Sequence, residues 1–342
     1  MPDEPEASNR ELERGWQLLE EGETVEARQL AESLREQDPD WPEVHVLLAA
    51  CAQDAEQIDR ALEHLEEAAR LDPEWAEPAL RAAEIHAEGG DLPAALAQVG
   101  TALDKADEED ELLDAIALKA AIELEMGKEN SAARTLALLP TPGATQPGTD
   151  VALEIGGLFL ELGRAKEATG WLRRAVEMDE ENADAYHVLG LAAELLDDES
   201  QKRQAWLKTH ALDEKADRGE PLRLSDAQIT QETEAALAEL PENARKLLAD
   251  VPILVVDRPP RSDVETGTDP RLLGLFDGTP YSEGAALGGV PQLTQIILFR
   301  RNLERIAEDD GELRAEIRTT LLHETGHFFG MSEKDLESVG LG

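Results

Sequence analysis

The sequence predicts two architectures in one chain. The first is an N-terminal, all-α, superhelical solenoid of helix pairs. The second is a small C-terminal α+β domain with a short sheet and a metal-ligand helix. Three observations carry this reading: marker residues that return every 34 to 37 positions through the first part, a change to short β-rich runs after Ser225, and the stretch HETGH in the last long helical segment.

The repeats show when the first half is laid against itself. Asp38-Pro39 recurs at Asp72-Pro73, Trp41 recurs at Trp75, and Ala27, Ala61 and Ala95 share a 34-residue step. Small residues mark the middle of the first helix of each unit: Gly15, Ala49, Ala83, Ala120, Gly156 and Gly190. Turn glycines Gly22, Gly90, Gly127 and Gly163 each precede an alanine by five residues. Small side chains let two helices approach closely, and a proline after the second helix stops it before the next unit begins. Six helix pairs are expected over residues 8–213, with PTPGATQPGT (Pro140 to Thr149) as a loop after the fourth. Lys202 stands where earlier units have alanine, as suits an atypical terminal unit. The array resembles the tetratricopeptide repeat family, whose unit is a 34-residue helix–turn–helix; Tyr186-x-x-Leu189-Gly190 and the pair Ala27…Pro39 fit its pattern. The resemblance implies a protein partner on the array. His45, His64, His86, His187 and His210 read as ordinary helix residues, and the five tryptophans as inter-repeat core.

Residues 214–224 read as a linker, with a glycine and a proline inside a polar run, and residues 225–342 as the second domain. There Ser225 or Asp226 caps a helix whose apolar side is Ile229, Ala236, Leu237 and Leu240. A short helix follows Pro241. PILVVD, RLLGLF and QIILFR are β-rich runs bounded by Gly and Pro, which predicts three strands.

The last helix carries the chemistry. Leu313, Ile317 and Leu321 form an i, i+4 apolar ladder, and the helix continues into HETGHFFG. His323 and His327 lie one turn apart on one face, so both imidazoles reach one metal ion at ~2.0–2.1 Å. Glu324 follows the first ligand, placed to take a proton from metal-activated water. Gly330 ends the helix and turns the chain back. A catalytic zinc takes three protein ligands and keeps a fourth position open. Read as HExxHxxGxxE, the third ligand is Glu333, with Asp335 as the alternative and Glu337 more distant. Met331 reads as packing.

This half resembles the small bacterial zincin-like, or minimal, zinc metallopeptidases, through ADVPILVVDRPP, LLGLFDGTP, QIILFRRNLER and ELRAEIRTTLLHETGHFFGMSEKDLE in that order. The resemblance implies a compact α+β zincin-like domain with Zn2+ held by His323 and His327, Glu324 as catalytic base, and an acidic third ligand at 333, where the usual residue is Asp. The function expected is a zinc-dependent peptidase hydrolysing peptide bonds through a metal-activated water, its repeats binding a peptide or protein substrate or a protein partner. The alternative is a protein-interaction scaffold whose metal-binding domain is inactive or regulatory. Arg300, Arg301 and Tyr281 are oxyanion-donor candidates by type alone, and none is assigned.

Composition narrows the setting. A net charge of -43 argues against nucleic-acid and anionic-membrane partners. Cys51 is the one cysteine, fitting a reducing compartment. Met1 to Arg10 lacks a basic and apolar leader pattern, and no apolar run approaches the ~18 residues of a membrane span. The expected location is cytoplasmic.

Overall fold

The computed structural model describes residues 4–144, 147–278 and 295–338, without the side chains of residues 4–7, 144, 333, 337 and 338. The chain divides into two compact units, residues 1–180 and 181–342.

In the first unit, helices pair in sequence order: α1 (Glu4–Glu20) with α2 (Thr24–Gln37), α3 (Pro42–Asp54) with α4 (Ile58–Leu71), and α5 (Glu77–Glu88) with α6 (Leu92–Lys105). Then come α7 (Glu109–Glu125) with α8 (Glu129–Leu136), and α9 (Thr149–Glu161) with α10 (Ala165–Met178). Prolines in the first turns of α3, α5 and α6 sit where a missing amide hydrogen leaves no intrahelical bond unmade. The alanines of the repeat register, Ala27, Ala61, Ala95, Ala132 and Ala168, are fully buried. A Cβ added to Gly15 would lie 2.5 Å from Leu47 Cδ2, and one on Gly156 2.5 Å from Leu172 Cδ2. The small residues therefore mark real contact limits.

The turn glycines Gly22, Gly90, Gly127 and Gly163 have φ of 77°, 73°, 69° and 68°. Glu56 occupies the same place in the second pair with φ 56°, a left-handed conformation that an L side chain adopts at a penalty of roughly 1–2 kcal/mol. Cys51 is fully buried, and burial pushes its thiol up to about 11, so it has no nucleophilic character near neutrality. Trp171 is core, whereas Trp16 and Trp75 are only half-buried. Trp16, Trp41 and Trp75 still pack against the cores of the first pairs, and Trp16 and Trp75 also line a cavity.

The second unit opens with α11 (Ala183–Leu195) and α12 (Glu199–Ala216). Gly190 is forced by Trp206, whose ring would lie 2.1 Å from any Cβ there. Of the two cap candidates, Ser225 is the one used: it caps α13 (Asp226–Glu239), and Gln228 completes a full capping box. Then follow α14 (Glu242–Leu248), β1 (Ile253–Val256), α15 (Arg261–Glu265), β2 (Gly274–Asp277) and β3 (Gln295–Phe299). The remaining elements are α16 (Arg300–Ile306), α17 (Asp310–Phe328) and α18 (Glu333–Ser338). The sheet order is β1-β3-β2. β1 runs parallel to β3, with Ile253 opposite Ile296 and Val256 opposite Phe299. β2 runs antiparallel, with Gly274 opposite Leu298 and Asp277 opposite Gln295. The central strand is accordingly the apolar one: Ile296, Leu298 and Phe299 are buried, and Leu313, Ile317 and Leu321 of α17 join their clusters.

The last helix pair is fastened into this unit by a polar seam. Asp213 of α12 is 1% exposed and accepts from Arg271 Nε and Nη2 at 3.0 and 3.1 Å, with Arg305 Nη2 at 2.6 Å. His187 Nε2 lies 2.9 Å from Asp269 Oδ1, and His210 Nε2 3.0 Å from the Pro259 carbonyl. Both histidines therefore hold the loops around α15, a role their sequence context does not reveal. The stretch 214–224 begins inside α12 and is itself packed. Arg223 Nη1 donates to the Ala307 carbonyl at 2.6 Å, Arg301 Nη2 donates to the Glu220 carbonyl at 2.7 Å, and Leu224 is buried. Among the described residues, no helix is long and apolar enough to cross a membrane.

Two outcomes are expected. Glu56→Gly relieves the left-handed turn and raises the urea-unfolding free energy by about 0.5–1 kcal/mol, net of the glycine's greater freedom in the unfolded chain. Asp114 in α7 is pushed up to about 6 by burial and by the neighbouring carboxylates Asp110, Glu77 and Glu111. A raised carboxyl binds its proton more tightly in the folded state, so it destabilises the fold above pH ~6 and has no effect below its unfolded pKa of ~3.9. Asp114→Asn is thus expected to stabilise by on the order of 1–2 kcal/mol at pH 7, the gain disappearing between pH 6 and 4 in matched denaturation curves.

Candidate metal centre

The centre is built on α17. Asp309 starts this helix by accepting from the amides of Gly311 and Glu312 at 2.7 and 2.9 Å, and those bonds hold its carboxyl below the usual range. One face, Leu313, Ile317 and Leu321, goes into the core. A second face, Thr320 and Glu324, lies against the first residue of β2. A Cβ on Gly274 would sit 2.6 Å from Thr320 Cγ2, 3.0 Å from Glu324 Cγ and 3.1 Å from Glu324 Oε1. Glu324 is buried there, 7% exposed, beside strand backbone.

His323 and His327 lie one turn apart and half-buried, with their Nε2 atoms 2.9 Å from each other and their rings tilted by 74°. His327 Nδ1 is 3.2 Å from the Met331 carbonyl. That contact suits a tautomer with the proton on Nδ1 and the lone pair on Nε2, the arrangement a metal-ligating imidazole needs. The carbonyl is brought there by the helix end. Gly330 is left-handed at φ 84°, and the Met331 amide donates to the Gly326 carbonyl at 3.0 Å. The turn expected at Gly330 is present.

After the turn, Ser332 and Asp335 cap α18 reciprocally. Ser332 N and Oγ donate to Asp335 Oδ2 at 2.9 and 2.6 Å, while Asp335 N donates to Ser332 Oγ at 3.3 Å. The bonds from Ser332 lower the Asp335 carboxyl below its usual value. Leu336 is fully buried, seated on Gly326 of α17, where a Cβ would come within 2.3 Å of its Cδ2. Glu333 is the first residue of α18, and its side chain, like that of Glu337, lies outside the described residues. Tyr281 also lies outside them. Arg300 donates to Asp226 at 2.7 Å and is ion-paired with Asp257 at 3.1 Å, and Arg301 donates to Glu304 at 3.0 Å. Both arginines are structural ties.

Among the described residues no group of three His, Cys, Asp or Glu side chains converges. The two imidazoles do, and their donor set fits zinc. Two nitrogens bound to one tetrahedral zinc at ~2.0–2.1 Å stand roughly 3.3 Å apart, a few tenths of an ångström from the separation seen. Sequence reasoning did not identify Gly274 and Gly326. Both are small residues whose need is set by a neighbour distant in sequence, and only the glycine inside a helical stretch at 326 gives any signal.

An alanine at a helix-interior glycine ordinarily stabilises by roughly 0.5–1 kcal/mol. At Gly326 the added methyl meets Leu336, so Gly326→Ala is expected to reverse that sign. Amide hydrogen exchange should show Asp335 and Leu336 losing protection while Leu313 to Leu321 keep theirs.

Residues 248–341 match the family described as zincin-like metallopeptidase, and residues 18–63 match tetratricopeptide repeat. No curated protein matches the chain. Among solved structures it is similar to the Pseudomonas aeruginosa pilF protein, at 19% identity over 61% of this chain and 92% of that one, TM-score 0.47. PilW, a type IV pilus biogenesis factor, is 16% identical over 60% of this chain and 93% of its own, TM-score 0.46. MamA from Desulfovibrio magneticus is 18% identical over 52% and 97%, TM-score 0.41.

Proposed function

For a chain that carries tetratricopeptide repeats and a zincin-like metallopeptidase domain, we propose a zinc-dependent peptidase whose repeats hold a protein substrate or partner. The observation that carries this is the convergence of His323 and His327 Nε2, 2.9 Å apart, next to the buried carboxylate of Glu324. His323, His327 and Glu333 would hold the ion. The engagement of Asp335 as a helix cap favours Glu333 over it as the third ligand. When bound, zinc supplies a Lewis acid that lowers the pKa of water toward ~7 and polarises the peptide carbonyl.

The chain's own residues do the rest. Met331 fixes the tautomer and ring plane of His327 through its carbonyl. Gly274 lets Glu324 lie against strand backbone, so packing fixes where its carboxylate stands. Glu324 takes the proton of the attacking water and returns it to the leaving amine nitrogen as the C–N bond breaks. A single cysteine suits a reducing, intracellular setting.

The test is metal content and cleavage of a broad peptide pool, measured on the same samples. Wild type should carry one zinc per chain and cleave. Glu324→Gln should keep its zinc and lose cleavage by about 10²–10⁴-fold, the span of one general base. His327→Ala should lose both, and chelation should abolish cleavage reversibly. Zinc bound by wild type without cleavage of any peptide would instead favour the scaffold, and no zinc in any sample would defeat the centre.

A further inference from the structure

The first unit contains a cavity of about 310 Å³ walled by the first helices of four successive pairs, α1, α3, α5 and α7, and by the turn before α5. Its apolar part is Leu12, Trp16, Val46 and Trp75; its polar part includes the carboxylates of Glu43, Glu77 and Glu111. Half-exposed indoles beside carboxylates form a surface that suits a cation with a flat, weakly hydrated face.

The cavity already holds one such group. Arg81 stands with its guanidinium carbon 5.2 Å from the centre of the Trp16 ring, and its Nε is bonded to Glu77 at 2.6 Å. That is one guanidinium satisfied by an indole face and a carboxylate together. Among the described residues, neither Glu43 nor Glu111 enters an ion pair. The surrounding carboxylates are undercompensated, and Asp114 one turn beyond Glu111 feels both Glu77 and Glu111.

Building on the reading that the repeats hold a protein, we propose that this cavity receives an arginine side chain of the bound segment, its guanidinium paired with Glu43 and Glu111 beside the Trp75 indole. Negative charge over the whole chain draws basic segments in, and the cavity selects arginine among them. Lysine carries the same charge but offers no planar face to the indole.

The experiment uses full-length protein carrying Glu324→Gln, so that binding is read without cleavage. Fluorescein-labelled alanine-based decapeptides containing two arginines, two lysines or two citrullines are titrated by anisotropy at physiological salt. The arginine peptide is expected to bind at least about fivefold more tightly than lysine, and citrulline not measurably. Adding Glu43→Gln with Glu111→Gln should weaken arginine binding about tenfold. Glu161→Gln with Glu180→Gln removes the same charge from exposed sites elsewhere and should change it less than twofold. Circular dichroism and urea midpoints establish that both double variants fold. Equal weakening in the two double variants, or equal affinity for lysine, would overturn the proposal. A random decapeptide pool separates the two levels of the claim. Peptides held without regard to Glu43 and Glu111 would overturn the arginine site and leave repeat binding standing, whereas no peptide held at all would overturn both.

Discussion

The second unit depends on how closely α17 approaches its neighbours. The helix meets β2 at Gly274 and α18 at Gly326, and at each point the space of a missing methyl is filled by a side chain from across the contact. At Gly274 the fillers are Thr320 and Glu324, so the strand fixes where the carboxylate lies. At Gly326 the filler is Leu336, so the same helix fixes where the chain after the turn lies. The two histidines project between these contacts. Their geometry follows from backbone approach distances, which close packing holds more tightly than rotamer preference does.

Much of this was legible in the sequence, for a physical reason. A 34-residue period, an i, i+4 pair of histidines and a Ser or Asp cap at 225–226 are all local, and each specifies its geometry without reference to distant residues. The three strands were legible because short apolar runs of β-branched, leucine and phenylalanine residues bounded by Gly and Pro have few other uses. What was hidden depends on partners far along the chain. Gly274 looks like a break in RLLGLF until Glu324 is set beside it, and Asp213, His187 and His210 look like helix-surface residues until their partners 49 to 92 positions later arrive. α18 was missed because SEKDLES is polar and short, and its cap pairs Ser332 with an aspartate. Glu56 breaks the glycine register, because a turn tolerates one strained residue where the packing on either side is strong.

Charge explains a further omission. With 75 acidic and 32 basic residues, cations are the scarcer partner. Arg271, Arg300 and Arg301 are each mostly buried and engaged with one or more carboxylates or carbonyls. In such a chain an arginine near a centre is more readily explained by the acids around it than by a role in chemistry. The two arginines weighed as oxyanion donors proved to be ties of this kind.

The polar seam at Asp213 bears on ancestry. Arg271 is mostly buried and draws its carboxylates, Asp213 and Asp184, from this helix pair; removing the pair strands that cation, and a stranded buried charge is strongly destabilising. Shuffling of genes can therefore trade the helix pairs ahead of residue 181 more freely than the pair that follows it. On this physical ground the metal-helix unit travels best with its own last repeat, and added or lost repeats are better tolerated upstream of residue 181.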